Sequence, residues 1–169
     1  MKKLLFITAI PPGNKGGGEL VTLKTIESLS NKYIIDLIYF TYPNHNSLAD
    51  SYVNKSLSFK PSYKNCLNKI FYFPLFTRRF STEIYNYLKS ISTNYDVLFF
   101  DYSQTAIYSL FIQLPYKIIR CHDVILQKYF RKCPIVIPWV YYTVRHVLKS
   151  ARKVFCLVEK DSMLLKKIL

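Results

Sequence analysis

The amino-acid sequence predicts an α/β protein with a mostly parallel sheet flanked by helices. Three observations lead to this prediction. Short apolar segments of strand length alternate with segments in which apolar residues recur every three or four positions. A glycine-rich turn directly follows the first apolar segment. Half of the 169 residues are hydrophobic, enough to form a core, which argues against an intrinsically disordered chain.

The first forty residues predict a strand, a helix and a second strand. Residues 4–9 are a run of mainly apolar side chains, typical of a strand buried on both faces. Residues 33–40 are rich in isoleucine and tyrosine, which favours a second strand. Between them, residues 19–30 are expected to form a helix with Glu19 in its first turn, where the helix dipole favours an acid. The expected apolar stripe of this helix is Leu20, Leu23, Ile26 and Leu29.

The rest of the chain continues the alternation of strands and helices. Further strands are expected at 57–59, 96–101, 116–121 and 153–158. Ser81 and Thr82 are suitable caps for a helix that runs to about Ile91. Other helices are expected at 103–113, 138–151 and 160–169. The segment 62–80 mixes cations with aromatic residues, and its pattern does not indicate a single structure.

Positive charge is concentrated in two segments that contain no acid. The chain has 24 Lys and Arg against 10 Asp and Glu, a formal net charge of +14. Residues 51–82 hold six of these cations and residues 124–158 hold seven, so the charges elsewhere nearly cancel. Such blocks indicate an anionic partner, which is a membrane surface, a phosphorylated ligand or a nucleic acid, or else a solvated face.

All four glycines lie in the turn after the first strand, at Gly13, Gly16, Gly17 and Gly18. A strand, a glycine-rich turn and a helix N-terminus together form an anion site, because free backbone N–H groups and the helix dipole converge there. The dinucleotide-binding fingerprint would require glycine at position 21, and the P-loop would require lysine at position 19. The loop therefore indicates either a ligand contact outside these two motifs or a turn that lets the first helix pack on the sheet.

Polar residues follow two of the other predicted strands. His122 and Asp123 come directly after the strand at 116–121, and Asp101 ends the strand at 96–101. In a parallel sheet these ends share one edge with the glycine loop, and ligands of open α/β sheets bind at that edge. His122 is able to bind a sugar hydroxyl or orient a reacting group, or it bonds a backbone carbonyl at the strand end. Asp101 is a base, a hydroxyl acceptor or a helix cap. The other two histidines, expected at the surface, are His45 and His146.

Several motifs of common enzymes and metal sites are absent from the sequence. There is no serine nucleophile elbow, no H-E-x-x-H and no D-x-D, so no carboxylate-held metal is expected. The four cysteines form no C-x-x-C pair, and Cys121 and Cys156 lie in apolar runs, which is typical of buried thiols. A reducing compartment and no disulfides are therefore expected. The apolar start ends at two prolines and favours a first strand over a signal peptide. The apolar stretch 135–144 is too short to span a bilayer.

The chain resembles the glycosyltransferases of family 4. The resemblance rests on the strand and turn of residues 3–12, followed by Gly-Gly-Gly-Glu at 16–19 and a helix. Residues 151–161 resemble the strand before the interdomain helix of that family, and His122 matches its histidine after a central strand. The resemblance covers nearly the whole chain as one Rossmann-like domain, residues 1–169. This domain is the N-terminal, acceptor-side half of a two-domain GT-B architecture.

The resemblance implies a hexosyltransferase of cell-envelope polysaccharide biosynthesis. Such an enzyme moves a sugar from a nucleotide-sugar to a glycan or lipid-linked acceptor, usually with retention, and needs no cofactor or bound metal. His122 would contact the donor sugar, and the glycine loop would approach the donor phosphate. The further candidate substrate-binding residues are Glu19, Asp101 and Asp123. The C-terminal donor-binding domain is not within residues 1–169, so this chain alone is expected to be inactive.

The expected location is the cytoplasm, at the inner face of the plasma membrane. Aromatic residues among cations suit a lipid interface. In the segment 60–80 these aromatic residues are Tyr63, Phe71, Tyr72, Phe73 and Phe76. A second group, beside Arg145 and Lys149, is Trp139, Tyr141 and Tyr142. The alternative functions are a non-catalytic membrane-associated binding module or a subunit of a split transferase. Nucleic-acid binding is not expected, because the basic blocks form no known nucleic-acid motif.

Overall fold

The computed structural model describes residues 1–61, 71–113, 116–123 and 125–169. Strands and helices alternate along the described chain, with three short 3₁₀ helices between them. The strands are β1 (Lys2–Thr8), β2 (Tyr33–Phe40), β3 (Lys55–Phe59), β4 (Val97–Asp101), β5 (Lys117–Cys121) and β6 (Lys153–Cys156). The helices are α1 (Gly17–Ser30), α2 (Pro74–Thr77), α3 (Thr82–Ile91), α4 (Ile125–Lys132), α5 (Ile137–Lys149) and α6 (Glu159–Ile168).

The six strands form one sheet in the order β3-β2-β1-β4-β5-β6, and all of their pairings are parallel. This confirms the predicted α/β class with a Rossmann-like sheet flanked by helices. The chain starts at the centre of the sheet, runs outward to β3 and then returns to β4 on the other side of β1. The order therefore reverses between β1 and β4, which opens a crevice above their carboxyl ends.

Alternate side chains of the central strands supply two hydrophobic cores. On one face, Leu5 and Ile7 of β1 belong to the larger core, which α3, α5 and the connection after β4 cover. On the other face, Leu4 and Phe6 belong to a smaller core that contains Ile26 of α1. Because β1 is central and covered on both faces, its run of apolar residues is explained by burial rather than by a membrane. None of the helices in the described part of the chain is long and apolar enough to cross a membrane.

Helix α1 packs on the sheet through part of the predicted apolar stripe. Ile26 is buried, and Leu23 and Leu29 are partly buried against the smaller core, whereas Leu20 is exposed. Glu19 and Thr22, which lie outside the predicted stripe, are also buried. Thr22 faces the sheet because its hydroxyl meets the Asp101 carboxylate at the carboxyl end of β4, whereas Glu19 bonds Lys15 and His45. The predicted helix was correct, and its predicted buried face was wrong in the first turn.

Two other expectations also change. The segment 103–113 was expected to be a helix, but it forms only a 3₁₀ helix at Thr105–Leu110. Of the expected membrane-facing aromatic residues, Phe73 and Phe76 lie in the larger core, and only Phe71 is strongly exposed. Tyr63 lies outside the described residues. The aromatic residues of this segment therefore divide between core and surface. Burial contradicts a role at the lipid interface for Phe73 and Phe76 and leaves Phe71 available for it.

Candidate functional site

A buried polar row crosses the carboxyl edge of the sheet. Thr8 of β1 is in register with Asp101 of β4, which is in register with Arg120 of β5. In-register residues of parallel strands project from the same face, so the three side chains lie side by side. Helix α1 covers this row and adds Thr22 and Thr25 above it. The sequence thus forms a small polar layer in the place where a hydrophobic contact between helix and sheet was expected.

Asp101 is the centre of this layer, and its carboxylate is completely buried. Its Oδ2 accepts hydrogen bonds from the hydroxyls of Thr22, at 2.5 Å, and Thr8, at 3.3 Å. Its Oδ1 accepts from Arg120 Nε at 2.6 Å and from His122 Nε2 at 2.7 Å. Burial alone would raise the pKa of the Asp101 carboxyl, but the hydrogen bonds and charges of His122 and Arg120 outweigh burial and lower it. Asp101 is therefore an anion that positions His122, and its carboxylate does not act as a helix cap.

His122 is held from two directions. Asp101 bonds its Nε2, and the ring of Tyr102 stacks on the imidazole with centroids 3.7 Å apart and planes 8° apart. The side chain of His122 is 7% exposed. When the imidazole is neutral and Nε2 donates to Asp101, the other ring nitrogen, Nδ1, is a hydrogen-bond acceptor. This arrangement is typical of a histidine that is oriented for binding or proton transfer rather than of a surface histidine.

Tyr102 joins His122 to the glycine loop. Its backbone has a φ of 71°, which is rare for a residue other than glycine and brings its ring back over the strand ends. A Cβ on Gly18 would lie only 2.3 Å from the Tyr102 hydroxyl oxygen. None of the four glycines has a positive φ, so it is close approach and not a special backbone conformation that favours glycine. The approach is closest at Gly18, and at Gly13 a Cβ would lie 2.9 Å from a carboxylate oxygen of Glu19. Burial raises the pKa of the Tyr102 hydroxyl.

The other candidate residues of the glycine loop have different surroundings. Gly16 and Gly17 are exposed, and a Cβ on either would meet nothing within 4 Å. Gly16 is the N-cap and Gly17 the first residue of α1, and the backbone N–H groups of a first turn have no partner within their own helix. Glu19 is buried, and its carboxylate accepts a hydrogen bond from the Lys15 backbone N–H at 3.1 Å and contacts His45 Nδ1. Glu19 thus connects the loop to His45.

Asp123 lies apart from the Asp101 layer, at an exposed cleft. The cleft has a volume of about 380 Å³ and lies between α4 and the start of α6. Its lining residues are Asp123, Gln127, Lys128, Arg131, Lys132 and Asp161. One open cleft, which begins at the residue after His122, therefore contains cations that can bind an anionic group and carboxylates that can accept hydrogen bonds from hydroxyl groups.

Sequence reasoning missed four residues of the site. Thr22, Thr25, Tyr102 and Arg120 were not expected to take part, although an arginine inside an apolar strand next to an aspartate-ended strand was a usable signal. His45 was expected at the surface, and its side chain is 37% exposed while its Nδ1 contacts the buried Glu19. His146 is exposed on α5 as expected. Among the described residues, no group of three histidine, cysteine or carboxylate side chains is arranged to hold a metal ion.

No protein-family model matches the chain, and no curated protein matches its sequence.

Proposed function

We propose that this chain is the acceptor-side domain of a glycosyltransferase that uses a nucleotide-sugar donor. The observation that carries the proposal is the pairing of His122 with Asp101 at the crevice between β1 and β4, next to the glycine-led start of α1. The crevice at this reversal of strand order is the usual ligand site of open α/β sheets. The resemblance to family 4 glycosyltransferases adds the reaction class.

In this function, His122 binds the reacting sugar. Asp101 fixes which ring nitrogen bears a proton, and Tyr102 fixes the plane of the ring. The free nitrogen then accepts a hydrogen bond from a sugar hydroxyl, or the protonated ring stabilises negative charge as the nucleotide leaves. Asp101 is a positioning residue, because its buried carboxylate reaches a substrate only through His122.

The start of α1 provides the complementary charge for a departing diphosphate. Gly16 and Gly17 are exposed with open space around them, which allows a phosphate to approach the backbone N–H groups at the start of the helix. Preorganised donors at this position stabilise the charge that develops on the leaving group. A second, donor-binding domain would close the crevice and exclude water, and we expect this chain alone to be inactive without it.

The cleft beside Asp123 fits the acceptor. Lys128, Arg131 and Lys132 would bind an anionic group, and Asp123 and Asp161 would accept hydrogen bonds from hydroxyls. We therefore propose a glycan or lipid-linked acceptor with a phosphate or carboxylate near its reacting end.

An exposed aromatic surface supports attachment to an anionic membrane. Phe71 is 78% exposed and Ile135 is 86% exposed. Tyr142 stacks on Tyr72, and the indole of Trp139 donates a hydrogen bond to the Phe71 carbonyl at 3.0 Å, which joins α5 to the segment before α2. Exposed apolar and aromatic side chains next to basic helices are typical of proteins that lie on lipid headgroups. We call Phe71, Ile135, Trp139, Tyr141 and Tyr142 the aromatic surface.

The test is sugar transfer by the complete gene product, supplied with any donor-binding domain encoded with or beside this chain. A panel of radiolabelled nucleotide-sugars is offered with a lipid extract, and labelled product is expected from at least one donor. His122→Ala is expected to fold normally and to lose transfer by on the order of 10²-fold. His146→Ala, at an exposed histidine on α5, is the matched control and should retain transfer.

Two results would contradict the proposal. Absence of labelled product with every donor would remove the transferase function, and binding of a donor without transfer would favour the binding module. Near-normal transfer by His122→Ala would exclude His122 from the reaction while leaving the reaction class intact.

A further inference from the structure

Two cysteines end neighbouring strands beside the candidate site. Cys121 is the last residue of β5 and Cys156 is the last residue of β6, and the two are register partners in the parallel sheet. Neighbouring strands lie about 4.8 Å apart, and in-register residues project from the same face. This spacing is within the Cα separation that a disulfide requires, roughly 4.4–6.8 Å.

Both side chains lie against the larger core, but their exposure differs. Cys121 is 3% exposed and belongs to that core, whereas Cys156 is partly buried at the edge strand. The hydrogen bond between the two thiols lowers the pKa of Cys156 and, together with burial, raises that of Cys121 well above its usual value. Cys156 is therefore the more acidic thiol and is the one that a small molecule reaches from solvent.

We propose that Cys121 and Cys156 are a peroxide-sensitive thiol pair that closes to a reversible disulfide. The proposal does not depend on glycosyl transfer, because it rests only on the register of β5 with β6 and on the exposure of the two thiols. Cys133, at the end of α4, has no register partner of this kind in the described chain.

The chemistry proceeds in two balanced steps. The Cys156 thiolate attacks a hydroperoxide, the O–O bond breaks, and a sulfenic acid forms. The departing alkoxide, or hydroxide when the oxidant is hydrogen peroxide, takes up a proton from solvent and leaves as an alcohol or as water. The Cys121 sulfur then attacks the Cys156 sulfur, the S–S bond forms, and the hydroxyl leaves as water with the Cys121 proton. The pair loses two electrons and two protons, and the peroxide is reduced. A dithiol reductant reverses the reaction.

The position of the pair connects it to the candidate site. His122 directly follows Cys121. Asp161, which lines the cleft, acts on both thiols through its negative charge, which adds to the rise in the pKa of Cys121 and opposes part of the fall in that of Cys156. A covalent link at this point would tie the carboxyl end of β5 to that of β6, and so would brace the backbone that carries His122.

The test uses the whole chain with Cys66 and Cys133 replaced by serine, so that only the pair remains. The protein is treated with hydrogen peroxide and then unfolded in guanidinium chloride, so that a buried thiol also reacts. Its remaining thiols are alkylated, and the intact mass and tryptic peptides are measured. We expect loss of two hydrogen atoms, no alkylation, and a peptide that links Cys121 to Cys156. Treatment with dithiothreitol before alkylation should restore two alkylated cysteines.

The unmodified chain is oxidised in parallel, so that the test remains decisive if the variant without Cys66 and Cys133 folds poorly. Folding is checked by circular dichroism, and Cys133 is the internal control thiol. Here Cys121 and Cys156 should no longer react with the alkylating agent at a peroxide dose that leaves the Cys133 thiol reactive. Cys156→Ser, at the partly buried position, should leave Cys121 reduced at the same dose. Full alkylation of both cysteines after oxidation, or links of either to Cys66 or Cys133 instead, would overturn the proposal.

Discussion

Two buried arginines show how differently single charges are compensated in this protein. Arg120 pairs with the buried Asp101, although its Nη2 has no hydrogen-bond partner. Arg79 lies over the rings of Phe40 and Tyr42, at 5.4 and 5.0 Å, and its Nε and Nη1 have no hydrogen-bond partner. Burial lowers the pKa of Arg79 to about 10. Within the described chain no carboxylate pairs with Arg79, so the contacts with the two rings offset only part of the free-energy cost of burying its charge.

The two arginines should therefore respond differently to replacement by methionine. Arg79→Met removes a buried charge that lacks an acid partner and keeps apolar contact with the rings, so the free energy of unfolding should stay equal or rise. Arg120→Met leaves the Asp101 carboxylate buried without its main cation and should lower the free energy of unfolding by about 3 kcal/mol. Urea unfolding of both variants measures this difference. A loss in Arg79→Met as large as that in Arg120→Met would show that the guanidinium has an essential partner.

Helix α1 depends on glycine at one position and not at its neighbour. Gly17→Ala places a methyl group in open space at the start of the helix, and it should be neutral or stabilising by up to about 1 kcal/mol. Gly18→Ala places its Cβ against the Tyr102 hydroxyl, so Tyr102 must move and with it the ring stacked on His122. Unfolding free energies and the NMR signals of the His122 ring check both expectations. Equal stability of the two variants with unchanged His122 signals would mean that Tyr102 does not couple the loop to the site.

Elements were predictable where local pattern and tertiary environment agree. Strands β1 and β2 follow from apolar runs that are buried on both faces of a central sheet. The segment 103–113 was wrongly predicted as an α-helix because an apolar segment so short has no clear period, and nearly all of its 3₁₀ helix is buried. The aromatic residues Phe73, Phe76 and Phe80 could not be assigned from sequence, since contacts with α5 and Tyr108 decide their burial. Likewise, Asp101 and His122 were found as strand ends, but their pairing needed the register of β4 with β5.

At the scale of the whole molecule, the net charge of +14 and the aromatic surface together predict binding to anionic membranes. The positive charge supplies long-range attraction, and the exposed apolar side chains supply insertion at the headgroups. The protein should sediment with vesicles that contain phosphatidylglycerol and much less with pure phosphatidylcholine, and binding should weaken as salt screens the charges. Phe71→Ser with Ile135→Ser should lower binding several-fold without unfolding the chain, because both side chains are largely exposed.

Leu48→Ser, at an exposed apolar residue in the connection between β2 and β3, is the matched control and should bind as the unmodified chain does. Equal sedimentation with the two kinds of vesicle would exclude anionic lipid as the partner of the basic segments. An equal loss of vesicle binding in the control and in the double variant would instead show that the aromatic surface has no special role in membrane binding.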